Sequence, residues 1–335
     1  MSKETSVIIK GVAILMMLWF HLFGISELED LCTPLFYING KPLVTYIHNA
    51  CHPVPFFLIL SGYGLTYIYN QQRLNIKSQA KRILKIYIHY WIVLLVFVSI
   101  GHFIKPDDYP NNFIHIISNI TSVRCTYNGE VWFLFPYSII CLFSQYIVNY
   151  VYNINSWKKT AIATSIYVIL FTIAKLVVLY LPEQIVIYTT LIQFHRLVIL
   201  LFYYILGILL FRFLEKNRVY SNNKPIVYAL SIIILFIVKS MFKVTLIDGI
   251  YAFIFIWCFV HLPLNKYLRK TLFKLGSHSM VMWMTHTFFC VYLFRDFIYG
   301  FKYPLIIYIV LVAVCYITAQ PIMWISNKII KLFSL

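Results

Sequence analysis

The sequence predicts an all-α integral membrane protein, a bundle of about ten transmembrane helices. Of its 335 residues, 61% are hydrophobic and only 12% are charged, which lies outside the range of soluble proteins. Apolar runs long enough to cross a bilayer recur along the whole chain. No linker rich in Pro, Gly or Ser interrupts them, so residues 1–335 are expected to form a single domain. The predicted spans lie at about residues 8–25, 49–69, 84–104, 131–152, 160–181, 197–213, 226–238, 244–262, 277–294 and 304–326.

The net charge of +17 is distributed unevenly between the predicted loops. With the N-terminus inside, the inner side holds nineteen cations and two acids, and the outer side holds eight of each. This asymmetry satisfies the positive-inside rule and predicts that both termini are cytoplasmic. The cations border spans and no soluble domain presents them, which disfavours nucleic acid as a partner.

The first span places a cation and an imidazole on one helix face. Lys10 and His21 are eleven residues apart, which is roughly 16 Å and about three full turns of α-helix. Ionisable groups within a membrane are costly and usually face a partner or a wet cavity. The alternative is a snorkelling lysine and a core histidine that hydrogen-bonds to a neighbouring helix.

A cluster of cations lies where the third span leaves the cytoplasm. Arg82 and Lys85 are three residues apart and Lys81 and Lys85 four apart, so they share a helix face. Arg73 and Lys77 precede them. Arginine binds phosphate bidentately, so the cluster favours a polyanionic ligand, with anchoring to anionic headgroups as the alternative.

Other polar residues lie in or beside spans. Ser61 can hydrogen-bond across a close helix contact, although packing is the ordinary role of such a residue. Glu130, at the outer mouth of the fourth span, is placed to bind a substrate hydroxyl or to pair with Arg124. His286 is a second deep imidazole, about ten residues into the ninth span. Residues 182–196 are apolar but too short to cross twice, which predicts a re-entrant or interfacial segment.

The seven cysteines show no metal-ligand spacing, and no metal site is predicted. Cys32, Cys51 and Cys125 fall on the outer side, where an oxidising environment permits a disulfide. The candidate pair is Cys32–Cys51.

Motifs along most of the chain, taken together and in order, resemble those of acyltransferase family 3. Members of that family are polytopic bacterial enzymes that acylate hydroxyls of cell-surface and exported glycans. The chain departs from the usual pattern at Lys85 and Ile88, where Arg and Pro are usual, and at Gln320, where an acid is common. The matching motifs are Lys10-Gly11-Val-Ala-Ile-Leu with His21, Phe56-Phe57-Leu-Ile-Leu-Ser61-Gly62, Arg82-Ile-Leu-Lys85-Ile-Tyr87, Gly129-Glu130-Val-Trp132-Phe133-Leu134, and Leu275-Gly276-Ser277 followed by His286.

This resemblance implies a membrane O-acyltransferase of the bacterial inner membrane. It would move an acyl group, expected to be acetyl, from coenzyme A to a glycan or lipid-linked saccharide. Coenzyme A is a cytoplasmic polyanion, which fits the cationic inner face. The implied catalytic residues are His21, as general base on the acceptor hydroxyl, with Lys10, His286 and Glu130. For His286 two roles stay open, orienting the acceptor or packing. The implied donor-binding residues are Arg82, Lys85, Lys81 and Ser61, with Lys10 as a further phosphate ligand.

A transporter or lipid-linked-glycan flippase is the alternative class, with the deep histidines as proton relays. Against it, the sequence shows no paired intramembrane acids and no two-fold repeat of hydropathy. A glycan polymerase would need large outer loops, whereas the longest predicted loop has only about 25 residues. Consumption of acyl-CoA would separate the enzyme from the transporter.

Overall fold

The structure is a computed structural model that describes residues 1–180, 188–216 and 225–335. The first part of the predicted re-entrant segment, residues 182–187, lies outside these ranges. Residues 188–196 belong to a long helix, so no re-entrant loop forms in that part of the segment.

The described chain is helical apart from one short hairpin, which confirms the all-α prediction. The hairpin strands, β1 (Tyr37–Ile38) and β2 (Lys41–Pro42), pair antiparallel. The helices are α1 (Lys3–Phe23), α2 (Leu28–Leu31), α3 (Leu43–Ala50), α4 (Val54–Asn70), α5 (Ile76–Ile104), α6 (Phe113–Ile120), α7 (Leu134–Leu142), α8 (Ser144–Tyr152), α9 (Trp157–Tyr180), α10 (Tyr188–Lys216), α11 (Pro225–Met241), α12 (Asp248–Val260), α13 (Lys266–Thr287), α14 (Arg295–Tyr299) and α15 (Pro304–Leu332). Short 3-10 turns cover Gly129–Val131 and Thr245–Ile247, and a π-helical turn covers Phe288–Tyr292.

Six of the described helical segments are long and apolar enough to cross a membrane, or seven if one bent pair counts as a span. The bent pair joins Gly129–Leu142 to Ser144–Tyr152 at 66°. The six segments are Lys3–Phe23, Leu43–Asn70, Ile76–Ile104, Trp157–Tyr180, Thr189–Lys216 and Pro304–Leu332. Helices α11 and α12 are apolar but shorter. The protein is therefore a multi-pass membrane protein.

Helix starts follow ordinary capping chemistry. The Ser2 hydroxyl accepts a hydrogen bond from Thr5 N at the start of α1. The Asn265 side chain accepts one from Leu268 N at the start of α13. Each satisfies a backbone donor that the helix leaves without a partner. Pro304 lies in the first turn of α15, where a missing N–H is harmless.

The chain divides into two compact units. Unit 1 contains Met1–Phe57, Tyr87–Pro110 and Val219–Leu335, and unit 2 contains Leu58–Ile86 and Asn111–Arg218. Helices α4 and α5 contribute residues to both units.

Unit 1 is organised around the contact between α1 and α13. A Cβ added at Gly11 would overlap Leu272 O, and one added at Gly276 would overlap Val7 O, so the two backbones touch at these glycines. Nearer the helix starts, Arg269 donates two hydrogen bonds to Glu4, at 2.7 Å each. Arg269 follows its partner Glu4 by 265 positions, and Gly276 follows Gly11 by the same number. The two helices α1 and α13 therefore run in the same direction.

The rest of unit 1 holds α1 in place through hydrogen bonds to its backbone and side chains. Tyr299 donates to Leu22 O (2.7 Å) and Tyr308 donates to Leu15 O (3.1 Å). Trp19 donates from its indole to Val44 O (3.2 Å). Helices α14, α15 and α3 therefore fix the axial position of α1.

Unit 2 also contains two helices whose backbones touch at glycines. A Cβ added at Gly62 on α4 would overlap Tyr204 O, and one added at Gly207 on α10 would overlap Ile59 O. Small residues that let helix backbones touch are a common feature of membrane helix packing. Tyr167 on α9 donates to Val198 O on α10 at 3.2 Å, which ties α9 to this pair.

Candidate active site

Unit 1 holds one candidate cluster, a pair of imidazoles. The rings of His21 on α1 and His286 on α13 are 4.8 Å apart between centroids. His21 comes ten residues after Gly11, and His286 comes ten residues after Gly276. The two histidines are therefore 265 positions apart, as Glu4 and Arg269 are. The two glycines therefore bring the two histidines together at the same level of the helix pair.

His286 has a defined tautomer and a buried ring nitrogen to which the described residues offer no hydrogen bond. Its Nδ1 lies 2.7 Å from Trp283 O, and since a carbonyl only accepts, Nδ1 carries the proton. Its Nε2 is therefore an acceptor. Among the described residues this buried atom has no hydrogen-bond partner, although the side chain is fully buried. Buried polar atoms normally have a partner, so a group that donates a hydrogen bond fits here.

Two further histidines surround Phe20, the residue before His21. The His48 ring stacks on Phe20 at 4.4 Å, and the His52 ring meets its edge at 4.7 Å. The His48 Nδ1–H also donates to Phe20 O at 2.9 Å. Sequence reasoning noted neither histidine as a site residue.

His52 belongs to a buried charged group that sequence reasoning also missed. Asp248 lies 3.0 Å from His52 Nδ1 and 3.0 Å from Lys239 Nζ. The Lys239 and Asp248 side chains are 2% and 3% exposed, whereas His52 is 21% exposed. Asp248 is the one acid inside the predicted spans, and that signal was available in the sequence. Its partners come from other segments: Lys239 lies on α11, and His52 lies between α3 and α4.

Unit 2 holds a separate candidate cluster around Arg82. Its guanidinium donates to Tyr137 Oη at 2.8 Å and lies 3.5 Å from Ser61 Oγ. The Ser61 and Tyr137 hydroxyls are 3.0 Å apart. Arg82 is half-buried, and among the described residues it has no carboxylate within ion-pair distance. The structure thus brings together the predicted residues Arg82 and Ser61 and adds Tyr137, which the sequence did not single out.

The other four predicted site residues are not assigned to either cluster. Lys81 is exposed and Lys85 is half-buried on the same turns of α5. Lys10 is half-buried on α1, beside the glycine contact with α13. Glu130 is half-buried in the turn before α7, in unit 2.

Arg196 is a cation close enough to Glu130 to act on it electrostatically. Arg196 also lies over the Trp132 ring at 5.3 Å. Arg124 instead donates to the Thr189 hydroxyl at 2.9 Å. The two predicted roles of Glu130, binding a substrate hydroxyl or pairing with Arg124, stay predictions.

Thiols contribute little to either cluster. Cys32 and Cys51 are both buried and remain separate thiols, so the candidate disulfide is not formed in this structure. Burial, with a smaller effect from Glu29, raises the pKa of the Cys32 thiol to about 11. Within the described ranges, no group of three or more His, Cys, Asp or Glu is placed to hold a metal ion.

A comparison with protein families gives one match. The model of acyltransferase family 3, described as an acyltransferase domain, covers residues 8–324. Among curated proteins no match is found, and none is found among solved structures.

Proposed function

The chain belongs to acyltransferase family 3 and is a membrane acyltransferase, and we propose that coenzyme A is its acyl donor. The acyl group is expected to be acetyl, and the acceptor is a hydroxyl of a cell-surface or exported carbohydrate. The observation that carries this proposal is the in-register pair His21–His286 within a chain that the family model covers almost completely.

We place the protein in the bacterial cytoplasmic membrane with ten spans and both termini inside. The charge asymmetry of the loops supports this orientation. The parallel course of α1 and α13 also agrees with it. Two helices that cross in the same direction need an odd number of crossings between them, and the ten-span order supplies seven.

Arg82 is the proposed anchor for the donor. It is a fixed positive charge whose described partners are neutral hydroxyls. A half-buried cation without a carboxylate is stabilised by an anionic ligand, and guanidinium matches phosphate geometry. Lys85, Lys81 and Lys10 are proposed to add charge, and Ser61 to hold the Arg82 side chain through Tyr137.

His21 is the proposed general base. It takes the proton from the acceptor hydroxyl while the oxygen attacks the thioester carbonyl carbon, and the C–S bond then breaks to release the coenzyme A thiolate. Imidazole suits this step because it titrates near neutral pH. The unpartnered Nε2 of His286 is proposed to accept a hydrogen bond that orients the acceptor, and Glu130 to bind another substrate hydroxyl. General-base catalysis is worth roughly 10²–10⁴-fold, and positioning supplies the remainder.

Transfer from labelled acetyl-CoA in membranes tests this proposal, with mass spectrometry of surface glycans to find the acyl group. We expect His21→Ala to lower transfer by about 10²–10⁴-fold at equal protein level. His278→Gln is the matched control, because His278 is bonded to the Lys274 carbonyl and to Ser277 outside the His21–His286 pair. Wild-type transfer by the His21→Ala protein would overturn the assignment of the base.

One observation favours the alternative of a transporter or flippase. The buried Asp248, paired with Lys239 and His52, is the kind of intramembrane ionisable group that proton-coupled transporters use. Proton-coupled glycan uptake by membranes that consume no acetyl-CoA would establish that alternative and overturn the acyltransferase mechanism.

A further inference from the structure

The group formed by Lys239, Asp248 and His52 does more than pack unit 1. Burying an ion pair carries a desolvation penalty that its Coulomb attraction often fails to offset. A lysine and an aspartate that are almost fully buried therefore call for a functional explanation. Lys239 is further held by Asn49 O at 2.9 Å, so its position is fixed from two directions.

This arrangement sets the proton position on His52. Asp248 faces Lys239 with Oδ1 and His52 with Oδ2. An ionised carboxylate only accepts hydrogen bonds, so the Nδ1 of His52 carries the proton and Nε2 is left as the base. A carboxylate that orients an imidazole and stabilises the imidazolium is the arrangement found in nucleophile–histidine–aspartate sites.

His52 also lies close to the proposed base. Phe20 separates the two residues: its ring is 5.0 Å from the His21 ring and 4.7 Å from the His52 ring. His286 is fully buried, whereas His52 is 21% exposed. Of the two, His52 combines a carboxylate partner with a partly exposed side chain.

We infer that His52 is a second proton-transfer residue, with Asp248 and Lys239 as the positioning residues that hold it. This rests on the proposed function. His21 takes the proton of the acceptor hydroxyl as the new ester C–O bond forms and the thioester C–S bond breaks. The His21 imidazolium then gives that proton through water to Nε2 of His52, which releases it to solvent. The coenzyme A thiolate takes its own proton from water, so His21 and His52 both return to their neutral forms.

His52→Gln and His52→Ala test the inference in membranes that transfer label from acetyl-CoA. Glutamine can still donate a hydrogen bond to Asp248 but cannot carry a proton. Both variants are expected to lower turnover by about 10²-fold, and added imidazole is expected to restore His52→Ala but not His52→Gln. His261→Gln is the matched control, because the His261 Nδ1–H donates to a backbone carbonyl, that of Trp257, at 2.8 Å.

Full turnover by His52→Gln would show a packing role and overturn the inference. So would a His52→Ala enzyme that imidazole does not restore. In either case the wild-type enzyme still transfers the acyl group, so the proposed function stands. If the wild-type enzyme transfers no label, the proposed function itself fails.

The positioning residues need a separate test because removing one charge leaves the other buried. Lys239→Met/Asp248→Asn removes both charges together and keeps the side-chain volumes similar. We expect this double variant to fold and to lose turnover about as much as His52→Gln. Asp248→Glu is expected to keep part of the turnover, because it keeps a carboxylate at this position. Wild-type turnover by the double variant would overturn the role given to the ion pair.

Discussion

In each unit two helices touch at a pair of glycines, but the polar groups that these contacts position differ in kind. In unit 1, Gly11 and Gly276 bring together two imidazoles, His21 and His286. In unit 2, Gly62 and Gly207 join α4 to α10, and the Ser61 hydroxyl beside Gly62 belongs to the cluster around Arg82. Imidazole gains and loses a proton near neutral pH, whereas guanidinium stays charged.

This difference indicates a division of chemical work. Unit 1 offers groups that can move a proton, and unit 2 offers a permanent charge that can hold an anion. The close helix contact is the shared means of fixing such groups inside an apolar bundle. Variants in unit 1 should therefore change turnover, while variants in unit 2 should change the affinity for the donor.

The largest effect is expected at the α1–α13 contact. Gly276→Ala places a Cβ against Val7 O, far inside the 3.0 Å that real contacts keep, so the helices must separate by about 1 Å. A misplacement of about 1 Å can lower a rate by about 10²-fold, and overpacking costs about 1–3 kcal/mol of stability. Turnover of labelled acetyl-CoA and thermal unfolding in detergent measure the two effects.

Gly64→Ala is the control for that variant, since nothing lies within 4 Å of the added Cβ. If Gly276→Ala kept normal turnover and normal stability, the glycine contact would not be what positions His21.

The next largest effect is expected at Arg82. Arg82→Gln removes the fixed charge and should raise the KM for acetyl-CoA by roughly 10–100-fold, since a hydrogen bond to a charged group contributes about 1.5–3 kcal/mol. Arg82→Lys keeps the charge but loses the planar fork, so an intermediate effect is expected. Arg124→Gln serves as the control in the same unit, because Arg124 is bonded to Thr189. A fall in kcat at unchanged KM would contradict the division of work.

A smaller effect is expected at Tyr137. Tyr137→Phe removes the hydroxyl that joins Arg82 to Ser61, and a neutral hydrogen bond contributes about 1 kcal/mol. The expected result is a rise of about fivefold in the KM for acetyl-CoA, measured beside Tyr146→Phe, whose side chain is exposed. A loss as large as that of Arg82→Gln would mean that Tyr137 itself contacts the substrate.

The smallest effect concerns one thiol in each unit. Burial raises the pKa of Cys32 to about 11 and that of Cys125 to about 12, so both stay protonated and unreactive at neutral pH. Maleimide labelling should be slow at pH 7.5 and should speed up about tenfold per pH unit, while Thr33→Cys, at an exposed position, should label fast. Cys32→Ser and Cys125→Ser should transfer acyl groups normally. A loss of transfer in either would show that one unit uses a thiol.

The periodicity of the sequence predicted much of the helical structure, but it did not predict which helices contact each other. The helical period alone put Lys10 and His21 on one face of a helix, and α1 contains both. No local rule names α13 as the partner, because the contact joins residues 265 positions apart. One signal was present: a glycine precedes a histidine by ten residues in both helices.

The remaining site residues needed tertiary structure for physical reasons. Tyr137 has no charge and lies in an apolar helix, so its pattern is that of a packing residue. Asp248 stood out as an intramembrane acid, but its cation Lys239 lies on another helix, just beyond the predicted seventh span. The partner of a buried charge is chosen by packing and not by sequence distance.

The separation of α1 from α13 along the chain also has a consequence for biogenesis. At about 5–20 residues per second, a ribosome needs roughly 15–50 s to make the 265 residues that separate each pair of partners. During that time the groove at Gly11 has no helix against it, and lipid or an insertion factor must cover it. The imidazole pair can therefore form only after the ribosome has made His286, long after His21 has entered the membrane.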